Sequence, residues 1–150
     1  MRLWLDASAL VALITREPTS HQIDDVLQRS DPPLVSDFCV AESSSAIARL
    51  VRIGHRTLDE ADVLFRDLDV WVSSSSDRLA VDQGDIEKAT AFVRRPGVSL
   101  RAPDAIHLAA AHRLGATLLT LDHGMARAAA ALGVDHLNPA DADASGEPKD

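Results

Sequence analysis

Leu3-Trp4-Leu5-Asp6-Ala7-Ser8-Ala9-Leu10 is the stretch whose reading decides the fold. Three apolar residues followed at once by an acid read as a short buried strand that ends at Asp6, with Ser8 then able to cap a helix running from Ala9 to Ile14. The same strand-then-helix unit recurs outward along the chain. Leu34-Val35 precedes a helix from about Asp37 to Ile53 that stops near Gly54, and Thr117 to Leu121 forms a strand closed by Asp122. Val70-Trp71-Val72 reads as another strand, with Ser73 to Ser76 as the polar turn after it, and Val134 to Leu137 gives a weaker strand signal.

Helical patterns separate most of these runs. Thr19 with Gln22 forms a capping box ahead of Ile23, Val26 and Leu27, and Thr57 with Glu60 does the same ahead of Leu58, Leu64, Phe65 and Leu68. Ile86, Ala89 and Val93 mark a further helix. Pro103 opens an alanine-rich helix from Asp104 to Leu114 that ends at Gly115, the usual order of proline first and glycine last. Short strands alternating with helices predict an α/β domain with a mostly parallel central sheet and right-handed crossovers.

The chain has 150 residues, 46% of them apolar, which is one domain's worth of core. Fifteen Lys and Arg stand against 23 Asp and Glu, a net charge of −8, so binding to nucleic acid through bulk positive charge is disfavoured and any such chemistry needs local cations. Cys39 is the only cysteine, which excludes an intrachain disulfide and a zinc site built on cysteines, and suits a reducing compartment. It reads as a small buried apolar residue. Apolar runs are too short for a membrane span, and Asp6 interrupts any signal-peptide core; a cytoplasmic location is expected. Residues 1–138 are expected to form the domain. From 139 to 150 the chain is acidic and lacks an apolar face, so a disordered tail is expected there.

In an open parallel sheet the ligand crevice lies beyond the carboxyl ends of the strands. Asp6 and Asp122 each close a strand, Asp104 sits in a first helical turn after Pro103, and Glu42 enters from the helix after Leu34-Val35. Four carboxylates converging there would repel one another and take up protons unless a cation held them. An oxygen-only donor set suits a hard divalent ion, Mg²⁺ or Mn²⁺, able to activate water and neutralise charge on a phosphodiester.

With these residues in place, the chain resembles the PIN domains of VapC-type toxins. The resemblance is carried by Leu3 to Leu10, by Glu42 after a second strand, by Pro103-Asp104-Ala105 opening an alanine-rich helix, and by Thr120-Leu121-Asp122 ending a later strand. It implies a three-layer α/β/α sandwich, an Mg²⁺ or Mn²⁺ cofactor, and endoribonuclease cleavage of structured RNA such as tRNA or rRNA. Asp6, Asp104 and Asp122 would then hold metal, Glu42 would bind a second metal or orient the attacking water, and Ser8 would support the site. A VapB-like antitoxin partner and a homodimer are also implied. At Asp122-His123-Gly124-Met125 the chain departs from the many relatives that carry a bulky aromatic a few residues beyond the acid.

The acidic tail accounts for −3 of the net charge and the four carboxylates for −4, which leaves −1 over the rest of the chain. Arg49 lies seven residues after Glu42, nearly on the same helix face and about 10 Å along the axis. Arg52 and Arg56 extend that patch, and Arg94, Arg95 and Arg101 precede Asp104. These arginines are candidate contacts for RNA or for the antitoxin. With two Trp, three Phe and no Tyr, base stacking is not expected to dominate. His107 shares a helix face with Asp104 but reads as a packed residue without a role, and His123 as a surface loop residue.

Two alternatives stand beside the nuclease. A haloacid-dehalogenase-like phosphatase would use Asp6 as nucleophile, yet wants a second acid where Ser8 stands and a lysine in a site context that Lys88 and Lys149 do not offer. A PIN-like module that binds RNA or protein without cutting predicts that one of the four acids is missing, and none is.

Overall fold

The computed structural model describes residues 1–141, so the tail expectation falls, from residue 142 on, outside the described residues. Element order is β1 (Leu3–Leu5), α1 (Ala7–Ile14), α2 (Ser20–Gln28), β2 (Leu34–Ser36), α3 (Asp37–Arg52), α4 (Leu58–Ser75), β3 (Asp77–Leu79), α5 (Gln83–Val93), α6 (Ala102–Leu114), β4 (Thr117–Leu119), α7 (His123–Leu132) and β5 (His136–Leu137). The strands form one sheet in the order β3-β2-β1-β4-β5, every pair parallel.

Period-2 alternation in the central strand explains the layers. Leu3 and Leu5 point to one face, where they join Val35, Leu119 and the buried sides of α1 to α4. Trp4 points to the other, with Leu34, Leu118 and the alanine-rich sides of α5 to α7. Both faces of β1 are fully buried, which is why its sequence is continuously apolar rather than alternating. The result is the expected α/β/α sandwich. In α6, Ala105, Ala109, Ala110 and Ala111 are buried against the sheet, and their small side chains let the helix backbone lie close. Its end is set by Gly115, whose φ of +59° is the left-handed conformation that glycine adopts without strain.

Chain order reverses across β1: the chain leaves it toward β2 on one side and returns at β4 on the other, which makes its carboxyl end the switch point of the sheet. The β1–β4 register pairs Leu5 with Leu119, so the residues that follow, Asp6 and Thr120, emerge side by side.

Four local expectations need correction. Val70-Trp71-Val72 is not a strand but part of α4, whose buried stripe of Ala61, Leu68 and Val72 follows helical spacing, while Val70 is 64% exposed. Tertiary packing overrides the β propensity of the triplet. Ser73 to Ser75 are accordingly the last turn of that helix, and the hydroxyls of Ser74 and Ser76 donate to the carbonyls of Val70 and Val72. The third strand is instead Asp77–Leu79, a polar, largely exposed strand at the sheet edge. Ser8 does not cap α1: Asp6 does, by accepting the Ala9 amide at 3.0 Å. Thr19 precedes α2 but makes no side-chain cap, because its own backbone is already helical. The Thr57 cap, by contrast, accepts the Glu60 amide at 3.1 Å.

Cys39 is fully buried, and burial pushes its thiol far above the usual range, so it is an inert core residue. Among the described residues no helix is long and apolar enough to cross a membrane.

Candidate active site

Each candidate carboxylate is delivered by a different element to the carboxyl edge of the sheet. Asp6 follows β1 and caps α1, Asp122 follows β4 and caps α7 through the Met125 amide at 3.0 Å, Asp104 lies in the first turn of α6, and Glu42 projects from α3. All four line one cleft of about 180 Å³, together with Ala7, Ser8, Arg101 and His107. Two of the acids are therefore helix caps and cleft residues at once. Their placement at helix N-termini also puts them near the positive end of each helix dipole.

Asp6 is the most buried of the set, at 4% exposure. Its Oδ1 accepts from the Ser8 hydroxyl at 2.7 Å and the Ala9 amide at 3.0 Å, and its Oδ2 accepts from the Thr120 hydroxyl at 2.5 Å. Ser8 in turn accepts the Leu121 amide at 2.9 Å, and Thr120 accepts the Asp122 amide at 3.0 Å. Each hydroxyl oxygen thus takes a backbone N–H and gives its own hydrogen to Asp6. Burial nonetheless outweighs these bonds and holds the Asp6 carboxyl above the usual range.

Asp104 is also pushed up, first by burial; Arg101, and His107 where it carries a proton, oppose this, while the charges of Asp122 and Glu42 add to it. The Arg101 guanidinium lies 3.6 Å from Asp104 with its side chain 81% exposed, so this ion pair is weak and screened. The cleft thus gathers four carboxylates beside one guanidinium, that of the exposed Arg101.

Glu42 is held differently. Its Oε2 lies 2.5 Å from Nε2 of His107, whose Nδ1 accepts the Trp4 indole N–H at 3.1 Å. His107 is 2% exposed, and Phe38, one turn before Glu42 on α3, lies 5.4 Å from its ring. Sequence reasoning gave His107 no role and passed over Thr120. Their signals were a lone imidazole in an otherwise apolar helix face three residues after Asp104, and a hydroxyl two residues before Asp122 that mirrors Ser8 two residues after Asp6.

Of the arginines, only Arg101 lines the cleft. Arg49 and Arg52 are exposed in the last turns of α3, and Arg56 lies 3.9 Å from Glu60. His123 is 65% exposed beside the cleft, 3.4 Å from the Asn138 amide. Behind Asp122, Met125 is buried and its sulfur lies 3.8 Å from the Thr120 hydroxyl.

The donor set fits a hard divalent cation. The cleft offers only carboxylate and hydroxyl oxygens, with an imidazole whose two nitrogens are already engaged. Among the described residues no three acidic, histidine or cysteine side chains stand in a ready-made cage. Mg²⁺ usually keeps several waters and takes one or two protein carboxylates directly.

Fold and site together define a parallel α/β domain with an acidic cleft at its topological switch point. Residues 3–131 match the family model of the PIN domain, and the chain belongs to that family, in its VapC-type branch. The chain is 33% identical over 146 residues to Ribonuclease VapC46 of Mycobacterium tuberculosis (strain ATCC 25618 / H37Rv), covering 91% of this chain and 97% of the relative. To Ribonuclease VapC3 of Pyrobaculum aerophilum it is 28% identical, over 84% of this chain and 93% of the relative. The fold matches the crystal structure of VapBC2 from Rickettsia felis bound to a promoter DNA fragment, with a TM-score of 0.70 at 15% identity, covering 92% of this chain and 98% of that one.

Proposed function

We propose that this chain is a Mg²⁺- or Mn²⁺-dependent endoribonuclease toxin that cleaves structured RNA, tRNA or rRNA, and is held inactive by a VapB-like antitoxin. The observation that carries the reading is the convergence of Asp6, Glu42, Asp104 and Asp122 on one cleft whose lining guanidinium is the exposed Arg101. The naming of its relatives as VapC ribonucleases supports the same reading.

In this reading Asp6 and Asp104 would be the principal holders of the cation, and Asp122 would complete the site directly or through one of its waters. When bound, it supplies stabilisation of the charge that develops on the phosphodiester and lowers the pKa of water. Ser8 and Thr120 keep the Asp6 carboxylate in one orientation. Glu42, anchored through Oε2, orients the attacking water on the side opposite the leaving oxygen. The bond broken is that from phosphorus to O3′, which leaves a 3′-hydroxyl and a 5′-phosphate. Arg101, at the mouth of the cleft, meets the RNA backbone, and Arg49 and Arg52 on the far end of α3 contact RNA or antitoxin. Residues 1–138 form the nuclease domain, 139–150 an acidic tail, and the working form is a cytoplasmic homodimer.

The test is incubation of antitoxin-free protein with total bacterial RNA in Mg²⁺ or Mn²⁺, against EDTA and an Asp104→Asn control, followed by mapping of new 5′ ends. Discrete metal-dependent ends bearing 5′-phosphate, absent with Asp104→Asn, are expected. Folded protein that yields no new ends overturns the proposal.

A further inference from the structure

The Trp4–His107–Glu42 chain carries more than packing. An indole Nε1–H is a donor only, so the 3.1 Å contact requires a lone pair on His107 Nδ1. A histidine with a free Nδ1 in this buried position carries its hydrogen on Nε2, which is the atom 2.5 Å from Glu42 Oε2. The contact is therefore a neutral imidazole donating to a carboxylate, a short charge-assisted hydrogen bond rather than an ion pair. Three consecutive constraints follow from one apolar strand residue: the indole sets the tautomer, the tautomer sets the donor, and the donor fixes one oxygen of the acid. Phe38 and the 2% exposure of His107 deny the ring another orientation. Glu42 Oε1 is left with no hydrogen bond among the described residues, on a side chain that is 27% exposed and lines the cleft.

We propose that His107 is a positioning residue for Glu42: as the neutral Nε2–H tautomer imposed by Trp4, it pins Oε2 and leaves Oε1 as the working oxygen of that carboxylate. The inference rests on the nuclease reading for what Glu42 does, and on geometry alone for how Glu42 is held. The bond takes away the freedom of rotation of the Glu42 carboxylate while the side chain still lines the cleft.

Two readouts test it. The first is the long-range ¹⁵N–¹H spectrum of the wild-type imidazoles at pH 7 without added metal, with the His107 signal identified by its loss in His107→Gln. A protonated Nε2 and a bare Nδ1 are expected; a proton on Nδ1 overturns the proposal. The second is kinetic. His107→Leu is expected to lower kcat by about 10–100-fold with KM little changed, as loss of an outer-shell partner does. His107→Gln, which keeps an N–H donor toward Glu42, restores most of it, and Trp4→Phe frees the tautomer and gives an intermediate loss. Wild-type kcat in His107→Leu, or a loss confined to KM, overturns the proposal. If His107→Leu does not fold, the wild-type spectrum and the other two variants decide. A wild type that cuts no RNA yet shows the bare Nδ1 sinks the nuclease reading and leaves the tautomer lock standing. A wild type that cuts RNA with a proton on Nδ1 sinks the lock alone.

Discussion

Thr120 gives its hydroxyl proton to Asp6 Oδ2 at 2.5 Å and takes the Asp122 amide at 3.0 Å, so a single side chain joins the acid after β1 to the acid after β4. The geometry depends on the parallel register that sets Leu5 opposite Leu119. Thr120→Val keeps the shape and removes the bridge. It is expected to cost about 1–3 kcal/mol, because a buried carboxylate loses a donor. Cleavage is expected to fall by about 10–100-fold, as for loss of a residue that orients a metal ligand. Urea denaturation and initial cleavage rates read the two effects separately.

Asp6→Asn separates stability from function. The Asp6 carboxyl is held above its ordinary range by burial, so the folded state binds its proton more tightly than the unfolded chain. Stability therefore falls as pH rises through the window between the unfolded and the raised folded value, and the ionised acid is a full cost above it. Without metal at pH 7, Asp6→Asn is expected to melt at or above the wild-type temperature while losing cleavage. Added Mn²⁺ at about 100 times its Kd is expected to stabilise the wild type by about 2.7 kcal/mol and the variant far less. Thermal melts with and without the cation check this.

Asp85 predicts the opposite slope with pH. Its side chain is 1% exposed, and although burial alone would raise its carboxyl, two Arg113 hydrogen bonds at 2.7 and 2.8 Å and the Asp82 amide pull it below the usual range. A depressed carboxyl stabilises the fold above the unfolded value, and the contribution is lost as pH falls through the folded one. Asp85→Asn is expected to cost about 1–3 kcal/mol at pH 7, toward the lower end because Arg113 is 38% exposed. The gap between variant and wild type closes in acid. Denaturation midpoints from neutral pH down to the acid limb measure it.

Arg101→Ala is expected to leave stability within about 0.5 kcal/mol, since its pairing with Asp104 is exposed. If Arg101 meets a phosphate, RNA affinity drops and the slope of log K against log salt falls by about 1. Binding to a cleavage-inactive Asp104→Asn background, titrated across salt concentrations, isolates that contact from turnover.

The parts of the fold legible in the sequence were those where local pattern and tertiary demand agree. Leu3 to Leu5 are buried on both faces and read as continuously apolar; Pro103 and Gly115 bracket α6 because backbone chemistry alone forces them there. Val70 to Val72 misled because a β-branched and aromatic triplet lies within a long amphipathic helix, and only the spacing from Ala61 through Leu68 reveals it. The true third strand, Asp77 to Leu79, is a sheet edge and needs no apolar code. At the cleft, the four acids stood out by their positions after strands and in first helical turns. The groups that orient them did not, since Thr120 and His107 act through contacts 114 and 65 residues away in sequence, to Asp6 and Glu42.

Trp4 sits wholly inside the core and reaches the cleft through its hydrogen bond to His107. Its fluorescence is therefore expected to report on the acidic cleft. The chain's other indole, Trp71, lies half-buried on α4 across the sheet, so Trp71→Phe leaves a protein with a single emitter. A ligand that shifts Glu42 is then expected to change that emission through the His107 ring. Site occupancy becomes readable by light without a label.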